Sequence, residues 1–256
     1  MNTRSRRKRS ATNWWLIATA LLACASPLQA VASEWEFSAE MYVWGAQMDM
    51  TTPNGIEAEL PFYQILDDLQ MGFFGVFAAR NDKWSFTTDV IYMDLEQKQN
   101  HDATFPDVGD VNLTGKISMS SWIVTPTVGY ALYNTDKARV EIIGGARYLD
   151  VKVGLKIDAD GQQVFDQSAS EGYWDGIVGM RTSINLSENW FLPIYFDVGG
   201  GASDGTWQAL AGVGYKWGNW NTALTYRYLD YKFDDIPALS DLTVKGLLLG
   251  FGYTWR

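Results

Sequence analysis

From about residue 35 onward, bulky apolar side chains recur at every second position, with small or polar ones between them. The last stretch, DLTVKGLLLGFGYTWR (241–256), is the clearest case. Leu247, Leu249, Phe251, Tyr253 and Trp255 share one parity, and Gly246, Leu248, Gly250, Gly252 and Thr254 the other. A period of two is that of a β-strand with one bulky and one small face. A soluble sandwich would turn the bulky face inward. Here the chain ends on that face and the same dyad recurs upstream with aromatics at its ends, which assigns the bulky face to lipid and the glycine-rich face to a barrel interior.

The pattern predicts ten strands. Strand 1 covers 35–50, with Trp35, Phe37, Ala39, Met41 and Val43 outward and Glu36, Ser38, Glu40, Tyr42 and Trp44 inward. Residues 51–70 break the dyad with Pro53, Asn54, Gly55 and Pro61 and are expected to be a long loop with a helical turn or two. Strands 2 (71–80) and 3 (84–97) flank Asn81-Asp82-Lys83, a tight hairpin turn. A second long loop is expected at 98–112. Strand 4 (113–132) contains Pro126, which cannot donate to a ladder, so a bulge is expected there. Strand 5 (139–157) precedes a third loop at 158–169, and strands 6 (171–186), 7 (190–200), 8 (206–217), 9 (220–233) and 10 (from 241) follow.

Loops alternate long and short along most of this order, as an even-stranded barrel with short turns at one end requires. Closure leaves no unpaired edge in lipid. The expected fold class is therefore all-β, a transmembrane antiparallel up-and-down β-barrel of ten strands, or eight if strands 1 and 2 do not both cross. Trp35, Trp84, Trp122, Trp174, Trp190, Trp217, Trp220, Tyr253 and Trp255 are the expected aromatics of the membrane interfaces.

Composition fits this reading. The chain has 256 residues with 12 Trp, 13 Tyr, 12 Phe and 24 Gly, and no run of 18 apolar residues follows residue 33, which excludes a helical membrane protein. The N-terminus has the layout of a secretory signal peptide. Basic residues Arg4 to Arg9 precede an apolar run from Trp14 to Ala23 and a small-residue site at Ala30-Val31-Ala32, which gives a signal peptide over 1–32 and one barrel domain over 33–256. Cleavage there removes five basic and no acidic residues and takes the net charge from −10 to −15, excluding a nucleic-acid partner. Cys24, the single cysteine, lies in the removed segment, so the mature chain has no disulfide or thiolate site. Leu21-Leu22-Ala23-Cys24 also resembles a lipobox, with Cys24 lipidated as the alternative outcome.

With its dyad strands, aromatic girdles and terminal aromatic strand, residues 35–256 resemble the small outer-membrane barrels of Gram-negative bacteria, the group of the OmpA transmembrane domain, the Opa adhesins and OmpW. Ser203-Asp204-Gly205-Thr206-Trp207-Gln208, Gly214-Tyr215-Lys216-Trp217 and Tyr226-Arg227-Tyr228-Leu229 look like stretches of that group. The resemblance implies export to the outer membrane, contact with lipid and lipopolysaccharide, and insertion by the barrel assembly machinery. Most such chains end on an aromatic residue, whereas this one ends Trp255-Arg256.

Candidate chemistry is sparse. The inner parity carries Glu40, Asp89, Glu141, Asp175 and Asp197 with Arg147, Arg181, Lys216 and Arg227. A barrel this size is about filled by its own side chains, so these charges are expected to pair into a plug or, alternatively, to line a narrow selective passage. Enzymatic outer-membrane barrels (omptin proteases, lipid A-modifying enzymes and phospholipases) need a histidine beside a nucleophile or carboxylates. The single candidate, His101-Asp102, with Asp67-Asp68 as its remote partners, lacks matching surroundings. Asp102, Asp107, Asp110, Asp234, Asp235 and Asp241 have no calcium-loop spacing, and Gly199-Gly200-Gly201 has neither the lysine nor the helix of a phosphate loop. The expectation is a barrel with no catalytic residue, metal or cofactor, acting structurally or contacting an extracellular ligand through the long loops. A narrow pore, an enzyme, and a soluble periplasmic β-protein are the alternatives.

Overall fold

The computed structural model describes residues 35–51, 53–55, 57–105, 109–159, 162–234 and 240–256; the expected signal peptide and Cys24 lie outside them. The strands are β1 (Glu36–Thr51), the short β2 (Glu57–Leu60), β3 (Leu69–Arg80), β4 (Trp84–Phe105), β5 (Gly109–Asn134), β6 (Ala138–Ala159), β7 (Gln162–Asn185), β8 (Trp190–Gly201), β9 (Gly205–Trp217), β10 (Trp220–Lys232) and β11 (Asp241–Trp255). Each long strand pairs antiparallel with its neighbours in sequence, and β11 pairs with β1 from Phe37↔Trp255 to Thr51↔Asp241. The result is a closed ten-stranded antiparallel barrel, with β2 as a four-residue flap on β1.

The start of β1, the end of β11 and four tight connections share one rim. The turns are built by short polar side chains folding onto their own backbone. Asn81 Oδ1 accepts from the amides of Lys83 (2.9 Å) and Trp84 (2.7 Å), and Ser187 Oγ accepts from the amide of Trp190 at 3.1 Å. Gly218, in the two-residue β9–β10 turn, takes φ 58°, a left-handed conformation that a side chain would oppose.

Two expected loops are strands. The stretch 98–112 lies mostly in β4 and β5, whose ladder runs out to Phe105↔Gly109, and 158–169 lies largely in β6 and β7, paired to Ala159↔Gln162. Both segments lose the bulky–small alternation because each face of a sheet beyond the barrel wall meets water, so the backbone stays extended while the side-chain signal of a strand disappears. β4 to β7 thus rise together as a four-stranded sheet above the long-loop rim. The loop at 51–70 is real but structured. It holds β2 and the helix α1 (Phe62–Asp68), started by Pro61, whose carbonyl accepts from the amides of Gln64 and Ile65.

The bulge expected at Pro126 is absent. Register continues unshifted from Val124↔Tyr148 to Thr127↔Gly145, and the irregularity sits at Ala131/Tyr133 instead. Gly145 makes this possible, because a Cβ there would stand 2.1 Å from the Pro126 carbonyl oxygen, so the two backbones approach too closely for any other residue.

The β1–β3 seam is short. β1 bonds β3 only from Glu36↔Arg80 to Met41↔Gly75 and bonds β2 from Met48 to Thr51. α1 covers the interval between them: Phe62 lies against the outer side of Gly45, while Ile65 is buried in the interior cluster.

Candidate functional site

The interior is layered. Nearest the short-turn rim, Glu141 accepts from Arg139 Nε at 2.6 Å, Ser85 Oγ at 3.0 Å and Arg181 Nη1 at 3.4 Å. Arg181 also reaches across to Thr87 Oγ1 and Thr127 Oγ1, each at 3.0 Å, and its guanidinium lies 5.7 Å from the centre of the Tyr195 ring. Period-two alternation on β4, β5, β6 and β7 aims all of these inward.

In the next layer Arg227 Nη2 donates to Asp89 Oδ2 at 2.7 Å and Nη1 to the Tyr42 hydroxyl at 2.9 Å, while that hydroxyl donates to Asp89 Oδ1 at 2.7 Å. The guanidinium sits 5.1 Å from the Tyr42 ring centre and 5.3 Å from that of Trp44, so its face is covered by π-systems and its edge by oxygens. Three strands distant in sequence are tied together by this one group.

Higher still, Arg147 Nη2 donates to Asp197 Oδ2 at 2.5 Å and Nη1 to Thr206 Oγ1 at 3.0 Å, and the Thr206 hydroxyl donates to the Asp230 carbonyl at 2.8 Å. Asp175 does not join that pair. Its carboxylate accepts from the amide (2.9 Å) and hydroxyl (2.8 Å) of Ser203, which pins the short β8–β9 connection inward over the lumen.

Toward the long-loop rim the lumen is apolar. Trp44, Met48, Met93, Leu149, Leu229 and Tyr231 are among the buried members of one cluster that also takes Ile65 of α1, and Leu229 and Tyr231 are wholly buried. Of the nine inward charges expected to pair, Asp89 bonds Arg227, Asp197 bonds Arg147 and Glu141 bonds Arg181, and side-chain hydrocarbon packs the space above them.

Below the Arg227 layer a cavity of about 550 Å³ opens toward the short-turn rim. Glycines make room for it: a Cβ on Gly250 would meet Glu40 Oε1 at 2.2 Å, and one on Gly214 would meet the Phe191 ring at 2.2 Å, so both side chains lie flat against the wall. Two of the expected charges have no ion pair in this space among the described residues. Glu40 is within electrostatic reach of Arg227 and Asp89 but accepts no hydrogen bond among the described residues. Lys216 donates to Asn185 Oδ1 at 2.8 Å and packs 5.6 Å from the Phe191 ring centre, with no carboxylate bonded to it.

At the rim itself Glu36 accepts from Arg80 Nε at 2.7 Å and from Arg256 Nη2 at 3.0 Å, joining the first strand to the last residue.

Outside, the aromatics form two rings. Near the short-turn rim Trp84 meets Tyr130 (5.0 Å between ring centres), Trp190 meets Tyr215 (5.1 Å), Trp220 meets Tyr253 (4.6 Å), Tyr253 meets Trp255 (6.2 Å), Trp35 meets Phe86 (5.7 Å) and Trp217 meets Phe251 (5.8 Å). Farther up, Trp122 meets Tyr92 (4.5 Å), Trp174 meets Tyr148 (4.7 Å) and Trp207 meets Tyr228 (4.7 Å). Met41, Val43, Val178, Leu247 and Leu249, all about 60% exposed, lie in the belt between them.

His101 falls in β4 opposite Leu113, and its side chain, like those of Asp102 and Asp110, lies outside the description, as do Asp107 and Asp235 entirely. Among the described residues no group of three or more His, Cys, Asp or Glu could hold a metal. Parity alone did not reveal Thr206 and Ser203, though both fall in the 203–208 stretch that the resemblance singled out, and both are buried.

No protein-family model matches the chain, and no curated protein does. Among solved structures it is similar to the translocator domain of the autotransporter NalP from Neisseria meningitidis, at 14% identity over 93% of this chain and 96% of that one, with a TM-score of 0.43. It is also similar to Ail, the attachment invasion locus protein of Yersinia pestis (13%, 87% and 99%, TM-score 0.36), and to the CymD monoaromatic hydrocarbon channel (10%, 86% and 88%, TM-score 0.33).

Proposed function

We propose that the chain is a non-enzymatic outer-membrane barrel that does not conduct, with its short-turn rim in the periplasm and its work done by the sheet that β4 to β7 carry outside the cell. The belt of exposed apolar residues between two aromatic rings supports the membrane placement, since a water-facing surface of that extent would aggregate. Trp84 and Tyr92 on β4 mark the two rings. They are eight residues apart, about 26 Å along the strand, or roughly 20 Å of height at a strand tilt of ~40°, most of the height of an outer-membrane apolar band.

One observation carries the non-conducting reading: the apolar cluster around Leu229 and Tyr231 fills the lumen above the ion pairs. Dry, packed side chains leave no file of water for an ion to follow. The role outside the cell is supported by reach. Thirteen residues of β4 beyond Tyr92 extend ~40 Å, and among the described residues the β7 edge over 162–173 has no partner strand on its β8 side. Val164 and Phe165 are exposed on that edge, with Asp166 and Glu171 as the charges that discourage unspecific strand addition.

The test is bilayer conductance of the exported chain, refolded in detergent and verified by heat-modifiable gel mobility. Silence is expected from the folded barrel; discrete, reproducible steps would overturn the reading and make Asp89, Arg181 and Arg227 a selectivity lining.

A further inference from the structure

The cavity at the short-turn rim has a chemistry that the plug does not need. Its charged lining residues are Glu36, Glu40, Arg80, Asp89, Arg181, Lys216 and Arg227. Most are already matched: Glu36 with Arg80, Asp89 with Arg227, and Arg181 with Glu141 and two threonines. Among the described residues Glu40 and Lys216 have no ion pair, and they do not bond each other.

Their placement keeps them apart. Going round the wall from β1 through β11 and β10 to β9, Glu40 and Lys216 lie three strands from one another, roughly 14 Å at ~4.8 Å per strand. A lone cation would satisfy Glu40 and leave Lys216 facing the same space, and a lone anion would do the reverse. The wall between them also offers hydrogen-bonding side chains, with Asn221 and Thr225 lining the cavity. Leu248, Leu210 and Phe191 supply apolar surface beside them. At about 550 Å³ the space falls within the usual range for a small-ligand site, ~300–1,000 Å³.

We propose that this cavity binds a short zwitterionic peptide, its terminal ammonium on Glu40 and its terminal carboxylate on Lys216. The volume favours a peptide over a single amino acid, because three extended residues, which reach about 10 Å, fill far more of the cavity than one does. On the membrane topology proposed above, the ligand enters from the periplasm. Binding itself is measurable in detergent whatever the topology.

The probe is L-alanyl-L-alanyl-L-alanine, titrated calorimetrically into the folded barrel alongside its N-acetyl and C-terminal amide derivatives. Trialanine is expected to bind saturably, and each derivative about tenfold or more weaker, the size of one charge-assisted hydrogen bond. In Glu40→Gln the N-acetyl derivative and trialanine should bind alike, and in Lys216→Gln the amide and trialanine should. Heat-modifiable mobility verifies that both variants fold. No saturable binding of trialanine, or binding that is indifferent to both derivatives, overturns the proposal. So does retention of full discrimination in both variants. Binding of the N-acetyl derivative as tight as that of trialanine in the unaltered protein overturns it in favour of a site for simple carboxylates.

Discussion

Arg147 Nη2 stands 2.5 Å from Asp197 Oδ2, and solvent reaches neither side chain. The pair links β6 to β8 across the interior at the point where polar layers give way to hydrocarbon. Arg147→Ala would leave Asp197 buried and uncompensated, at a cost of about 3–5 kcal/mol. Equilibrium unfolding in urea, followed by gel mobility, should show the unfolding free energy fall by that amount, with a lower midpoint. The double variant Arg147→Met with Asp197→Leu should recover most of it, because packed hydrocarbon replaces a buried ion pair at little loss.

Ser203 holds the β8–β9 connection down through two hydrogen bonds to Asp175. Ser203→Ala removes the hydroxyl donor and leaves a buried carboxylate short of one bond, about 1–3 kcal/mol. The expected readout is faster proteinase K cleavage within 202–204 of the folded barrel, with cleavage elsewhere unchanged.

Gly179 is a point of backbone contact: a Cβ would lie 2.0 Å from the Phe196 carbonyl oxygen. Gly179→Val should therefore abolish the heat-modifiable form. At Gly144 the nearest atom to an added Cβ is the Ile177 carbonyl oxygen at 3.9 Å, so Gly144→Ala should fold in normal yield.

If hydrocarbon rather than ion pairing closes the lumen, Arg227→Ala should leave the barrel silent in a bilayer. Trp44→Gly with Tyr231→Gly should produce conductance steps in whatever fraction folds. The opposite pattern would locate the seal at the Arg227–Asp89 layer instead.

His101→Ala should change neither folded yield nor thermal mobility, and no protease or lipid-hydrolysing activity should appear in the unaltered barrel to be lost. An activity that vanishes with this substitution would establish an enzyme.

The dyad of the chain was a dependable guide wherever the two faces of a strand meet different surroundings. Leu247, Leu249 and Phe251 face outward and Arg227, Asp89 and Asp197 inward, as alternation required. It failed at 98–112 and 158–169, where both faces of a strand meet water and nothing forces alternation. The inner parity identified the charged residues, but pairing depends on the third dimension. Nothing local distinguishes Lys216, which bonds only an amide oxygen, from Arg227, which is enclosed by Tyr42, Trp44 and Asp89. Ile65 was hidden for another reason: a seven-residue helix has too few turns to display its period, and only its position against β1 makes it part of the plug.

The first strand is bonded along nearly its whole length to the last, yet to β3, the next strand of the barrel wall, only from Glu36 to Met41. Its main source of backbone hydrogen bonds is therefore a segment about 200 residues away, which cannot arrive until β11 itself has been made. Loop closure over such a distance is slow, and every intermediate carries two long unsatisfied edges. This barrel should accordingly form in one late, all-or-none step. Deleting β11 should strand the whole chain as an assembly intermediate rather than yield a smaller barrel.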